Sequence, residues 1–226
     1  MRFAVSKVQG LVSGSASRGV SRLRNAAFGL AVAALGLGGV AAEAQTLANL
    51  PAEVGARVQG DAKPIAAWVT FCQGYASECV VDRTEPARIS LTPATWATIV
   101  SVNRRVNKAI EPMTDQDHLH VADRWDLAED GIGDCEDFQL LKRHLLAEAG
   151  LPRRAMRMTV VIDEKGEGHA VLTLITDRGD LVLDNKTSAI LPWHKTGYVF
   201  IKRESQDAVA WVSLGGVTSP VTTANR

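Results

Sequence analysis

The sequence predicts an α+β fold, with helices in its first half and a small antiparallel sheet in its second. Helix signals with a period near 3.6 lie before residue 150, and short β-branched runs separated by turn sequences lie after it. No internal repeat competes with this division. Residues 45–62 read as an extended or partly helical lead-in. Pro64 to Ala76 reads as a helix carrying Ile65, Trp68, Val69 and Cys72 on one side. Val80 to Leu91 is irregular and polar. Thr92 followed by Pro93 is a helix start, a hydroxyl cap and then a proline whose missing N–H costs nothing there. Trp96, Ile99, Val102, Val106 and Ile110 mark the buried stripe, and the helix stops before Pro112.

The polar stretch from Glu111 to Gly133 holds Trp125 and the acids Asp115, Asp117, Asp123, Asp126, Glu129 and Asp130. A connection of that length inside a domain points to function or disorder. Asp134 then caps a helix from Cys135 to Ala149. Asp137 stands at its third position, and Gly150 and Pro152 close it. Phe138, Leu141, Leu145 and Ala149 read as its buried stripe, with Lys142 and Arg143 outward. Strands are expected at 155–162, 169–176, 181–183, 198–203 and 209–213, with a disordered tail from 214 to 226.

The first 44 residues read as a secretory signal peptide. Five basic residues and no acid precede an apolar run from Ala26 to Val40, which ends in Ala42-Glu43-Ala44. That run is shorter than the roughly 20 apolar residues a membrane span needs. The expected location is the periplasm or the exterior, with a domain over 45–213. Without the leader, 20 basic residues face 24 acidic ones, a balance that gives no reason to expect nucleic acid or an anionic membrane as partner. Cys72 and Cys79 lie close together and Cys135 stands apart. In an oxidising compartment the first two either form a bridge or pack reduced in a helix. A bridge would leave Cys135 as a thiol.

Cys135 opens a helix, where unsatisfied N–H groups favour the thiolate form. Gly131 and Gly133 before it leave room for a substrate backbone. His169 starts a strand, and Asp184 ends the next one. A cysteine at a helix start, with a histidine and a carboxylate on adjoining strands, is a papain-like arrangement: the histidine takes the thiol proton and the acid fixes its tautomer. A two-residue turn at Arg178-Gly179 would, however, set Asp184 opposite Thr173, four residues from His169, or roughly 13 Å along a strand.

The runs Trp125-Asp-Leu-Ala-Glu-Asp-Gly-Ile-Gly-Asp-Cys-Glu-Asp-Phe-Gln-Leu-Leu-Lys, Gly168-His-Ala-Val-Leu and Leu183-Asp-Asn-Lys resemble the bacterial transglutaminase-like cysteine peptidases, the LapG-like periplasmic proteases. The resemblance spans roughly 63–213. It implies a transglutaminase-like fold with Cys135, His169 and Asp184 as catalytic triad. It also implies a thioester acyl-enzyme, calcium dependence with Asp134 and Glu136 as the matching acids, a surface adhesin as substrate and a membrane receptor as regulator. Read from the residues alone, the acids beside Cys135 are either helix caps or ligands of a hard cation, and all-oxygen donors suit calcium better than zinc. Two further functions fit the same residues: acyl transfer to an amine, as in a transglutaminase or amidase, and a catalytically silent periplasmic binding module.

Overall fold

A computed structural model describes residues 55–216 of the chain; the expected signal peptide and residues 217–226 lie outside them. The elements are β1 (Gly60–Ala62), α1 (Ala66–Gly74), α2 (Ala76–Cys79), α3 (Pro93–Ala109), β2 (Glu111–Pro112), α4 (Asp115–His118), β3 (Ile132–Gly133), α5 (Cys135–Glu148), β4 (Met156–Ile162), β5 (Gly168–Thr176), β6 (Gly179–Leu183), β7 (Leu191–Pro192), β8 (Val199–Glu204) and β9 (Trp211–Ser213). A seven-stranded antiparallel sheet runs in the order β1-β9-β8-β4-β5-β6-β7. β2 and β3 form a separate short parallel pair that ties the end of α3 to the start of α5. This is the α+β architecture expected from the order of the elements.

Period-two alternation divides the sheet between two apolar layers. Met156, Met158, Val160, Ala170, Leu172, Leu174, Leu181 and Leu183 belong to the main core with Trp96, Ile99, Val102 and Val106 of α3 and Phe138, Leu140 and Leu146 of α5. Val161, Val171, Val182 and Phe200 form a second cluster, covered by Trp193, Tyr198 and Leu214. With apolar groups on both faces, the strands read as near-continuous apolar runs rather than alternating ones. Leu214 and Gly216, expected to begin a disordered tail, donate backbone hydrogen bonds to Ile201 O (2.9 Å) and Phe200 O (3.2 Å) and so extend the pairing along β8.

α3 begins as its sequence dictates. Thr92 Oγ1 accepts from Thr95 N at 3.1 Å, Thr95 Oγ1 accepts from Thr92 N at 2.8 Å, and Pro93 follows the cap. α5 departs from expectation. Lys142 and Arg143 are fully buried instead of outward-facing. α5 packs against α3 on one side and β5 on another, so little of its circumference is left for water. Arg143 Nη1 pairs with Glu204 Oε2 at 2.6 Å, and Glu204 also accepts from Trp68 Nε1 (2.6 Å) and Met158 N (3.0 Å). A helical wheel cannot show a partner 61 residues away. Cys72 and Cys79 form a disulfide with Cα atoms 5.6 Å apart, and it joins α1 to α2. Among the described residues no helix is long and apolar enough to cross a membrane.

Candidate functional site

The site forms where the N-terminus of α5 meets the start of β5. Cys135 is the first residue of α5, and its Sγ accepts from Ala170 N at 3.4 Å, so the sulfur lies against the residue that follows His169. His169 Nε2 and Asp184 Oδ1 are 2.9 Å apart. With Nε2 engaged there, Nδ1 is the ring nitrogen left for other work. Cys135, His169 and Asp184 are each 2–3 % exposed, so the whole cluster is shielded from water.

The expected obstacle of register is resolved by the turn. The hairpin closes on Asp177-Arg178, with Thr176 opposite Gly179 and Leu172 opposite Leu183, so Asp184 follows on the strand two residues from His169 rather than four. Such a diagonal pair on one face, about 7 Å apart along the sheet, is within reach of two side chains. Thr176 Oγ1 accepts from Arg178 N at 3.0 Å and donates to Gly179 O at 2.7 Å, and Gly179 adopts φ +95°, which glycine alone takes without cost. Ile89 and Leu91 hold the same turn from outside: Asp177 N donates to Ile89 O (3.0 Å), and Asp177 Oδ1 accepts from Leu91 N (3.1 Å).

Asp184 is bonded on every side. Oδ1 accepts from Lys186 N at 3.0 Å as well as from His169, and Oδ2 accepts from the Tyr198 hydroxyl at 2.7 Å. Its backbone carbonyl accepts from Asn107 Nδ2 (2.8 Å) and from the buried Lys142 Nζ (2.9 Å). Burial alone would raise the Asp184 pKa, but the bond and charge of His169, the Tyr198 hydroxyl and Lys186 N together hold it below the usual carboxylate range. Sequence reasoning missed Asn107 and Tyr198, which lie outside the cysteine, histidine and aspartate runs, and it read Lys142, the last residue of the cysteine run, as outward-facing.

Around the sulfur the environment is acidic and dry. Asp134, Glu136, Asp137 and Asp115 are 0–2 % exposed. Asp134 and Asp137 take the N-cap and third positions of a capping box, and Asp137 Oδ2 accepts from Asp134 N at 3.1 Å. Asp137 Oδ1 also accepts from Asp126 N at 2.8 Å, which anchors the loop beside Trp125. Cys135 Sγ donates to Glu136 Oε2 at 3.1 Å. By contrast, both carboxylate oxygens of Asp134 and Oε1 of Glu136 are buried without a donor in hydrogen-bonding geometry.

Burial pushes Asp134 up to about 7 and Asp137 up to about 9, and raises Glu136 as well. It also pushes the Cys135 thiol up to about 12, with the Asp134 charge adding to the rise. A helix start favours a thiolate, but here desolvation and like charge outweigh it. Gly133 serves packing rather than substrate access: a Cβ there would meet Asp137 Cβ and Oδ2 at 2.8 Å. Gly131 is needed for its φ of +84°.

These acids also pass a test for a hard cation. One carboxylate oxygen from each of Asp115, Asp123 and Glu136 lies within 4.8 Å of the others, and ligand atoms of Asp134, Cys135 and Glu136 form a second such group. Oxygen donors converging in a buried pocket, several of them lacking a hydrogen-bond donor, suit calcium. Asp134 and Glu136 were expected as ligands from the resemblance. Asp115 and Asp123 were visible only as members of an acidic loop. His118 pairs with Asp130 at 2.9 Å.

Solved structures similar to this chain include three of LapG from Legionella pneumophila. The calcium-bound form is 23% identical, with a TM-score of 0.47, over 59% of this chain and 76% of that one. A second LapG structure is 24% identical, with a TM-score of 0.47, over 57% and 72%. The EGTA-treated form is 24% identical, again with a TM-score of 0.47, over 60% and 74%. No curated protein matches the chain. The sequence profile of the family described as bacterial transglutaminase-like cysteine proteinase, BTLCP, matches residues 58–219, most of the chain. This chain is therefore a cysteine peptidase and belongs to the bacterial transglutaminase-like cysteine proteinases.

Proposed function

We propose that the chain is an exported peptidase that cleaves a cell-surface protein through a thioester on Cys135, with His169 as acid and base and Asp184 as the group that orients it. The observation that carries this reading is the 2.9 Å contact of His169 Nε2 with Asp184 Oδ1, beside a sulfur seated on Ala170 N at the head of α5. His169 takes the thiol proton, and the sulfur attacks the peptide carbonyl carbon. The tetrahedral intermediate collapses as the imidazolium gives its proton to the departing amine. Water, deprotonated by His169, then attacks the thioester and releases the new carboxyl end. The Cys135 backbone N–H, at the unsatisfied end of the helix, is one donor for the oxyanion.

Asp115, Asp123, Asp134 and Glu136 would hold calcium. Bound there, the ion would supply positive charge that offsets the carboxylates opposing ionisation of the thiol. Export is supported by the basic and apolar leader ending at Ala44. A surface adhesin as substrate and a membrane receptor as regulator follow from the LapG-like character of the motifs.

The test is proteolysis of a cell-envelope extract by the purified chain, read as new peptide termini by mass spectrometry. Cys135→Ala should abolish every new terminus while leaving the thermal melt nearly unchanged. Cleavage retained in that variant would refute the nucleophile. Incorporation of an added amine in place of hydrolysis would move the reading to a transglutaminase.

A further inference from the structure

We infer that Tyr198 is a positioning residue for the reaction, acting through Asp184 on His169; this deepens the triad reading and rests on it. Asp184 must present one oxygen to the imidazole in a fixed direction. Its carbonyl contacts with Asn107 and Lys142 pin the main chain but leave rotation of the carboxylate about its own bonds unrestrained. Lys186 N and His169 both bind Oδ1. Oδ2 is held by the Tyr198 hydroxyl at 2.7 Å, a short bond of the charge-assisted kind. Two oxygens held from opposite sides define the plane of the carboxylate, and that plane sets the direction of the bond to Nε2.

The same tyrosine also limits the imidazole directly. Its ring meets the His169 ring edge to face, with centroids 5.8 Å apart and planes at 83°. The side chain reaches this place because Gly197, at φ +78°, turns the chain immediately before β8, and because Tyr198 packs on the Val161, Val171 and Val182 layer. That layer lies on the face of β5 and β6 that carries His169 and Asp184, since His169 stands opposite Val161 and Asp184 follows on opposite Val171. Lys186 Nζ lies 6.0 Å from the ring centroid, a cation beside the face of the tyrosine. One residue therefore touches both His169 and Asp184.

The experiment compares the wild-type chain with Tyr198→Phe and Tyr198→Leu. The probe is iodoacetamide at neutral pH in excess calcium, with the rate of Cys135 alkylation read by mass spectrometry. The hydrogen-bonded His169 imidazole N–H proton is followed in parallel by NMR. Tyr198→Phe keeps the ring and removes one hydroxyl, so it should fold with a melt lowered only by the loss of one bond to a buried carboxylate. Its alkylation should be about tenfold slower, the scale of one hydrogen bond to a charged group. Its His169 N–H signal should broaden or move. Tyr198→Leu should be slower still. If Tyr198→Phe reacts at the wild-type rate with an unchanged N–H signal, the hydroxyl has no positioning role and the inference is overturned. If only Tyr198→Leu is slow, ring packing is the whole effect, which also overturns it. A wild-type Cys135 that reacts no faster than an ordinary thiol would instead refute the triad reading beneath it.

Discussion

Lys142 offers a sharp physical test, because a fully buried ammonium leaves a signature in the pH dependence of stability. Its Nζ donates to Asp184 O at 2.9 Å and to Gln139 Oε1 at 3.2 Å, both uncharged acceptors. Burial pushes its pKa down to about 7, against a smaller upward pull from the Asp184 carboxylate. Between about pH 7 and pH 10.5 the unfolded lysine then carries a proton that the folded one has lost, so unfolding takes up a proton and stability rises with pH. The slope for a full proton is about 1.4 kcal/mol per pH unit, or at most about 5 kcal/mol across the window. Below pH 7 both forms are protonated and the folded state bears the whole penalty. Lys142→Met keeps the apolar stem and removes the titration, while losing hydrogen bonds worth about 1 kcal/mol each at every pH. Urea unfolding of both proteins at several values from about pH 6 to pH 9.5 gives the difference directly, and other titrating groups cancel in the subtraction. The mutant should gain on wild type as pH falls, with a few kcal/mol separating the ends of the series. Parallel curves would refute the argument and show that folded Lys142 keeps its proton throughout, as a solvated ammonium would.

Three further outcomes follow from other parts of the molecule. Replacing Cys72 and Cys79 by serine together should lower stability by about 2 to 3 kcal/mol, the loop-closure value for a short ring, as measured by the urea midpoint. Glu204→Gln should cost about 3 to 5 kcal/mol, because it strips the buried Arg143 of its charge partner; a melt within error of wild type would show that water reaches this pair. EGTA should lower the melting temperature and excess calcium restore it, a native-state ligand at a hundred times its Kd contributing about 2.7 kcal/mol; a melt unmoved by chelator removes the cation from the account.

The parts of the fold that were legible in the sequence depend on local chemistry. Thr92-Pro93 and Asp134 announced two helix starts, and the β-branched runs after residue 150 announced the sheet. The errors came where distant groups decide. Whether Arg143 faces out depends on Glu204, and whether Lys142 does depends on the carbonyl of Asp184. The register of β5 on β6 turned on which two residues make the hairpin. Asp177-Arg178 prevail because Thr176 bonds both ends of the turn and Gly179 takes the left-handed conformation after it. A shift of one residue in the turn moves the facing position by two. That shift separates an Asp184 far from His169 from one bonded to it.

The acidic loop shows the same limit and explains its own composition. Asp115 and Asp123 sit in a long polar connection that looks solvated in sequence, yet the β2–β3 pair and the bond from Asp137 to Asp126 N draw it over the head of α5. Helix capping accounts for Asp137 and for the placement of Asp134. It does not account for Glu136, whose Oε1 has no donor, or for the approach of Asp115 and Asp123 to it. Carboxylates so placed repel one another and a neighbouring thiolate, and each pays for desolvation as well. A fold that gathers them beside Cys135 therefore opposes ionisation of the sulfur unless positive charge joins them. On that balance chelation should slow the reaction of Cys135 with iodoacetamide at neutral pH, and added calcium should restore it. A thiol equally reactive in EGTA would mean that the imidazole of His169 alone outweighs the acids.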